Sequence, residues 1–310
     1  MTSAVDIIVV IPVGPTCKIK YILDTLDSIC YYVHCSHKII ISDDSGNTIV
    51  NEKVKQKYPE VIILKTKKSY GKNLGLYVSL CNAYRYALSE FDFKALLRLD
   101  TDALIISHDP ETAALNLFQK QPDVGLAGRI INGPVASDDF GNQLDNSNQR
   151  GKLVQVGKLF TRYYMKRPIT NWRIRKILFN ALYNEYEVGK MVFGGAYFFS
   201  YKGLKTLYDN GLLPAKGVIG SDFEEDLFFS MLISSVNLRL GDLATGDLPF
   251  GCAWKGLPAS PHTLEHAGKK IIHSTRFWES LGEDDIRIYF QSRRNGGASR
   301  DNASITNYSS

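Results

Sequence analysis

The stretch Ala95-Leu96-Leu97-Arg98-Leu99-Asp100-Thr101-Asp102 decides how the rest of the chain is read. A short apolar run delivers two aspartates, one residue apart, to the end of a buried strand. Carboxylates at i and i+2 on a strand-to-turn junction can supply hard oxygen ligands to Mg²⁺ or Mn²⁺, and such a cation holds a diphosphate by neutralising its oxygens. Turns are rich in aspartate for purely local reasons, so the pair gains meaning only from its surroundings. Ile7 to Ile11, Lys38 to Ile41 and Val61 to Leu64 read as further short apolar strands. Amphipathic helices are expected near Ile19 to Tyr31, Val50 to Tyr58, Leu74 to Leu88 and Pro110 to Gln119. Short apolar strands separated by helices imply an α/β fold, a mainly parallel sheet covered by helices on both faces. Ligands of such sheets bind beyond the carboxyl ends of the strands. Polar clusters stand there after three of them: Pro12-Val13-Gly14-Pro15, Asp43-Asp44-Ser45-Gly46 and Asp100-Thr101-Asp102.

The 310 residues, 44% hydrophobic and 22% charged, can bury a substantial core. No basic segment precedes Ile7 to Ile11, and that run is far too short to span a bilayer, so neither a signal peptide nor a membrane span is expected. Cys17, Cys30, Cys35, Cys81 and Cys252 lack zinc-type C-x-x-C spacing and read as reduced packing residues, which points to the cytoplasm. The formal charge of +5 is uneven. Lys158 to Val192 carries eight Lys/Arg against two Glu, a surplus that leaves the remainder of the chain near −1. Phe160, Tyr163, Tyr164, Trp172, Phe179, Tyr183 and Tyr186 are interleaved with those charges. The plain reading is a helix with its aromatics in the core and its arginines in water; the alternative is an anionic membrane surface or a phosphate-bearing acceptor. Nucleic acid is not an expected partner, because no recognised binding module accompanies the charge.

Asn132 to Lys152 is rich in Gly, Asn, Asp and Ser and reads as a long loop between two halves. Met191 to Ser200 reads as a small-residue strand containing Gly194-Gly195-Ala196, followed by a helix from Lys202 to Asp209. Paired glycines let a ligand or another backbone approach closely, or mark a bulge. Asn295 to Ser310 has the composition of a disordered tail.

A Pro-ended first strand, an acidic pair after the second, a D-x-D after the fourth and a downstream acidic pair opening a helix together resemble the nucleotide-diphospho-sugar glycosyltransferases of GT-A fold, especially the inverting family two. The resemblance covers roughly residues 5 to 275. It is carried by Val9-Val10-Ile11-Pro12, by Ile41-Ser42-Asp43-Asp44-Ser45, by Asp100-Thr101-Asp102, by Gly220-Ser221-Asp222-Phe223-Glu224-Glu225-Asp226-Leu227-Phe228 and by Ile271-Ile272-His273-Ser274. Gly194-Gly195-Ala196 and Gly211-Leu212-Leu213 also match the family's glycine-rich strand and its following turn. The resemblance implies a nucleotide-sugar half over residues 1–130, an acceptor-binding and catalytic half over 131–294, and a tail over 295–310. It implies donor binding by Pro12, Asp43, Asp44, Asp100 and Gly195, with a UDP-sugar as the expected donor. A Mn²⁺ or Mg²⁺ ion would be held by Asp102 and His273. Asp226 would serve as base toward an acceptor hydroxyl, with Glu225 as substitute.

The acceptor implied is a saccharide or a lipid-linked glycan, in bacterial surface-polysaccharide assembly, with the enzyme cytoplasmic or peripheral on the inner face of the membrane. The helical Asn pattern of the family's third βα unit is only approximated by Asn73-Leu74-Gly75 and Cys81-Asn82-Ala83. The Gln-x-x-Arg-Trp motif of processive synthases is not found in the sequence, which favours addition of one sugar at a time. Physically, crowding of Asp222, Glu224, Glu225 and Asp226 exceeds what helix capping requires, and mutual repulsion could make one carboxylate a better base. Lys255, Arg276 and Trp278 lie near the metal-returning segment, where a cation could assist a diphosphate; Arg98 is expected simply to pair with an aspartate. A sugar-phosphate nucleotidyltransferase would share the architecture but carry a Gly-rich, Arg/Lys-bearing loop after the first strand, unlike Pro12-Val13-Gly14-Pro15-Thr16. A non-catalytic glycan-binding or scaffold protein would have no need of a base.

Overall fold

The computed structural model describes residues 3–46, 48–66, 72–131, 156, 157, 160, 168–215 and 223–296. Its first part runs β1 (Ser3–Ala4), β2 (Ile7–Val13), α1 (Ile19–Tyr32), β3 (His37–Asp43), α2 (Thr48–Lys57), β4 (Ile62–Lys65), α3 (Lys72–Glu90), β5 (Phe91–Asp92), β6 (Ala95–Leu99), β7 (Ala103–Ile105), α4 (Thr112–Lys120) and β8 (Val124–Ile131). After these come α5 (Pro168–Tyr183), β9 (Met191–Ser200), α6 (Tyr201–Asp209), α7 (Glu225–Ser235), β10 (Arg239–Asp242), β11 (Phe250–Cys252), α8 (Pro261–His266), β12 (Ile271–His273), β13 (Phe277–Trp278), β14 (Leu281–Gly282) and α9 (Glu283–Arg294).

A seven-stranded sheet in the order β10-β8-β9-β6-β2-β3-β4 forms the centre. Six of these strands run one way and β9 runs against both of its neighbours. β2, β3 and β6 are central and covered on both faces, which is why apolar residues run consecutively through Ile7 to Ile11, Ile39 to Ile41 and Ala95 to Leu97. Pro12 is tolerated within β2 because pairing with β6 ends at Val10 and Arg98, so no ladder bond to β6 is lost there. α1 buries Ile22, Leu26 and Ile29, the i, i+4, i+7 stripe of a helix lying on a sheet. α6 starts directly after β9 because the Ser200 hydroxyl accepts the Gly203 N–H at 3.0 Å.

A smaller three-stranded sheet pairs β11 parallel to β12 and β12 antiparallel to β7. It covers its own apolar cluster of Leu104, Ile106, Leu257, Leu264, Ile272, Ile286 and Phe290, closed by α8 and α9. The sequence reading contains neither this sheet nor β8, β10, α8 and α9. It matches the bounds of β6 and β9, and it places the first-half helices to within two residues at each end. The loop expected over Asn132 to Lys152 lies outside the described residues, as does the tail beyond residue 296. The five cysteines are free, in keeping with their reading as reduced; burial pushes the Cys252 thiol up to about 12. Among the described residues no helix is long and apolar enough to cross a membrane.

The helix of the basic aromatic segment differs from expectation. Trp172, Phe179 and Tyr183 of α5 face solvent together with Phe160, whereas Ile174, Ile177, Leu178 and Ala181 supply its buried side. Tyr186, just past the helix, is the aromatic that packs inward; Tyr163 and Tyr164 lie outside the described residues. The aliphatic residues fill the inner stripe, so the rings are left outside.

Candidate functional site

The carboxyl end of β6 is tied to the neighbouring strand by the Asp100 N–H, which donates to the Gly195 carbonyl at 2.8 Å. A turn follows, closed by the Ala103 N–H on the Asp100 carbonyl at 3.1 Å, and the chain enters β7. Pairing of β7 with β12 sets Ala103 opposite His273, and so returns the imidazole to the aspartate turn. Asp100, Asp102 and His273 each offer one ligand atom within 4.8 Å of the others. His273 Nε2 lies 3.3 Å from Asp102 Oδ1 and 3.9 Å from Asp100 Oδ2. Its Nδ1 lies 3.1 Å from the Ala253 carbonyl, an acceptor only, so Nδ1 carries the proton and neutral His273 presents its lone pair at Nε2. Two carboxylates and an imidazole oriented by a backbone carbonyl form a donor set that fits a divalent cation such as Mn²⁺.

The electrostatics of the cluster are set by burial and by two arginines beside it, Arg98 and Arg276. Burial works to raise the Asp102 pKa, but His273, Arg276 and the Ser274 hydroxyl outweigh it and hold the carboxyl well below the usual range. Arg276 Nε is 2.8 Å and Ser274 Oγ 3.0 Å from Asp102 Oδ2. For His273, burial acts to lower the pKa and the Asp102 charge reverses the sign. Asp100 is raised by burial against the pull of Arg98. Arg98 lies under the site with 1% of its surface exposed, Nη2 being 2.7 Å from Asp100 Oδ1 and 3.3 Å from Glu225 Oε1. Its guanidinium carbon sits 5.3 Å from the centre of the Tyr197 ring. Arg98 thus pairs with an aspartate, as read from the sequence, and also links that aspartate to the start of α7.

Asp226, in the first turn of α7, accepts the Leu227 N–H at 2.7 Å through Oδ1 and the Gly194 N–H at 3.3 Å through Oδ2. A Cβ at Gly194 would stand 3.3 Å from Asp226 Oδ2, and a Cβ at Gly195 would stand 2.5 Å from the His273 ring. Gly195 has φ +97°, a conformation that L side chains rarely adopt. Adjacent glycines therefore form a bare backbone wall with Asp226 against one residue and His273 against the next. The sequence reading assigns Gly195 to a ligand's close approach; in the structure that space is taken by the His273 ring.

Asp43 ends β3 and is buried, its Oδ1 accepting the Ser45 N–H at 2.9 Å and its Oδ2 accepting from Asn51 Nδ2 at 3.2 Å. Asp44 beside it is half-buried. Pro12 pairs with Ser42, so both residues sit on the same end of the sheet as Asp100. Asp222, part of the expected acidic cluster, lies outside the described residues.

The support behind the aspartate turn is absent from the sequence reading. Arg287 of α9, 3% exposed, donates to the Thr101 carbonyl at 2.6 Å and to Asp24 Oδ2 of α1 at 2.8 Å. Arg294 pairs with the other Asp24 oxygen, and Thr25 Oγ1 donates to the Ala103 carbonyl at 3.0 Å. Thr275 donates to the Asp102 carbonyl through its N–H at 2.8 Å and its hydroxyl at 3.0 Å. A signal for Arg287 exists in the i, i+4 pair Glu283 and Arg287, which are 2.9 Å apart, but such pairs are common on exposed helices.

The mixed sheet and the Asp-x-Asp and His cluster agree with the family-two-like GT-A resemblance. No family model and no curated protein sequence matches the chain. Among solved structures it is similar to the apo form of the bifunctional glycosyltransferase WbbM, with 10% identity over 93% of this chain and 52% of that one, at a TM-score of 0.48. It is similar to residues 1–349 of S. aureus TarS, with 13% identity over 96% of this chain and 73% of that one, at 0.43. A third is a glycosyltransferase involved in glycosylation of the major capsid of PBCV-1, with 7% identity over 92% and 99% of the two chains, at 0.44. The chain spans about half the length of WbbM.

Proposed function

We propose that this protein is a metal-dependent glycosyltransferase, moving a sugar from a nucleotide-diphosphate sugar, first of all a UDP-sugar, to a hydroxyl of a saccharide or lipid-linked acceptor. The observation that carries the reading is the placement of Asp226 and the Asp100, Asp102 and His273 cluster against two successive glycines at the carboxyl end of the sheet. One group can serve a departing diphosphate while the other serves an incoming hydroxyl. Asp43 and Asp44, with Pro12, line the rim where ribose hydroxyls and a base N–H would find carboxylate acceptors. Asp102 and His273, joined by Asp100, would hold the divalent cation, which when bound supplies Lewis-acid neutralisation of the leaving diphosphate. Asp226 takes the proton of the hydroxyl as its oxygen attacks the anomeric carbon opposite the departing diphosphate, and that single displacement inverts the centre. Glu225, ion-paired to Arg98 beneath the site, is the less suited of the two carboxylates to that task. The setting that the family resemblance suggests is assembly of a bacterial surface polysaccharide.

The test is calorimetric titration of UDP, GDP, CDP and dTDP into the protein with Mn²⁺ and again with chelator. One nucleotide is expected to bind only with the metal, and Asp102→Ala is expected to abolish that binding. Failure of every nucleotide to bind the folded protein, or Mn²⁺-independent affinity that survives Asp102→Ala, would overturn the metal-assisted reading.

A further inference from the structure

α5 carries two apolar sides. The inner one is Ile174, Ile177, Leu178 and Ala181, packed in the core. The outer one is Ile169, Trp172, Phe179 and Tyr183, exposed by 68%, 58%, 55% and 89%. With Lys176 these residues follow steps of three and four, so they form one stripe along the helix. Arg173 and Lys176 are exposed within it, and Phe160 extends it by packing on Phe179 with ring centres 6.2 Å apart. Beside the stripe a cleft of about 400 Å³ is lined by Trp172, Arg173, Lys176, Asn180, Asn210 and Leu212. Large rings kept in water are costly to solubility unless something covers them.

We infer that this face of α5 docks the protein on an anionic lipid surface. Trp and Tyr, with an apolar body and a polar edge, suit the headgroup level of a bilayer, and Ile169 and Phe179 can enter the acyl boundary. Arg173 and Lys176 supply the matching positive charge for lipid phosphates, and the cleft they line has room for a headgroup. By sequence, Lys158 to Lys190 carries six further Lys/Arg against two Glu. A second copy of the chain is a poorer occupant, because a two-fold contact would set this positive stripe against itself. A neutral saccharide would gain from the rings but make no use of the charges. Such docking is independent of the transferase reading, since none of these residues belongs to the catalytic cluster.

The experiment is co-sedimentation of the full chain with vesicles of phosphatidylcholine alone and of phosphatidylcholine with 30% phosphatidylglycerol. Binding to the anionic vesicles only, weakened by salt, is expected. Arg173→Gln with Lys176→Gln should lower partitioning about 30-fold, roughly fivefold for each surface charge. Trp172→Ser with Phe179→Ser and Tyr183→Ser should abolish it, with the fold verified by circular dichroism. Equal binding to both vesicles, no binding, or a dimer in sedimentation equilibrium that the triple variant dissociates would each overturn the proposal.

Discussion

A methyl group on Gly195 would enter the His273 ring, and the left-handed backbone there adds a cost of about 1–3 kcal/mol for any L side chain. Gly195→Ala is therefore expected to turn the imidazole away from Asp102 and to weaken Mn²⁺ binding by at least ~10-fold, the lower end for disturbing a ligand's support. Unchanged Mn²⁺ affinity in calorimetry would show that the wall does not set the ring. Asp226 is tested differently, since asparagine keeps its size and one acceptor oxygen, enough for the Leu227 N–H at 2.7 Å while the longer Gly194 contact at 3.3 Å is given up. Asp226→Asn should retain donor binding and lose at least ~10²-fold in turnover, as removal of a general base does. Near-normal turnover would move the base to another residue.

At the scale of elements, α9 does more than end the fold. Its first turn carries Glu283, Asp284 and Asp285 and its last carries Arg293 and Arg294, the charge order that suits a helix dipole. Between them Arg287 reaches through the core to Asp24 and to the backbone of the aspartate turn. Arg287→Ala leaves Asp24 buried with one cation fewer, and about 3–5 kcal/mol of stability should disappear in urea unfolding. Arg287→Lys should recover only part of it, because one point charge cannot span two sites that a planar fork spans. Little of this is legible in the sequence. β6 and β9 are legible because the apolar run Ala95 to Leu97 leading to Asp100 and the small and apolar residues of Met191 to Phe199 have few other readings. β7, β11 and β12 are three residues each, too short for any period to register. α9 leaves no periodic signal because its apolar contribution to the core is Ile286 and Phe290, a stripe two residues long. The reversed direction of β9 leaves no mark on hydrophobic pattern at all. His273 is marked in the sequence by the family-like Ile271-Ile272-His273-Ser274, whereas Arg287 stands in no such motif.

Over the whole molecule, the proposed cation would stand where two sheets meet. Asp100 and Asp102 lie between β6 of the large sheet and β7 of the small one, and His273 comes from β12. A ligand held across that junction stabilises both parts together. At a hundred times its dissociation constant, Mn²⁺ should add about 2.7 kcal/mol and raise the unfolding temperature by several degrees, reversibly with chelator. Asp102→Ala should remove the shift, and a wild-type protein indifferent to Mn²⁺ would refute the bridging site. The clasp of Asp24 by Arg287 has a further meaning for synthesis of the protein. These residues are 263 positions apart, so the aspartate turn waits for its rear support until nearly the whole described chain has left the ribosome. Strands β2, β3, β4 and β6 can emerge and pair long before that moment. A nascent chain would then hold Asp100 and Asp102 with neither the imidazole of His273 nor the brace of Arg287, so the proposed cation site could not close until both had emerged.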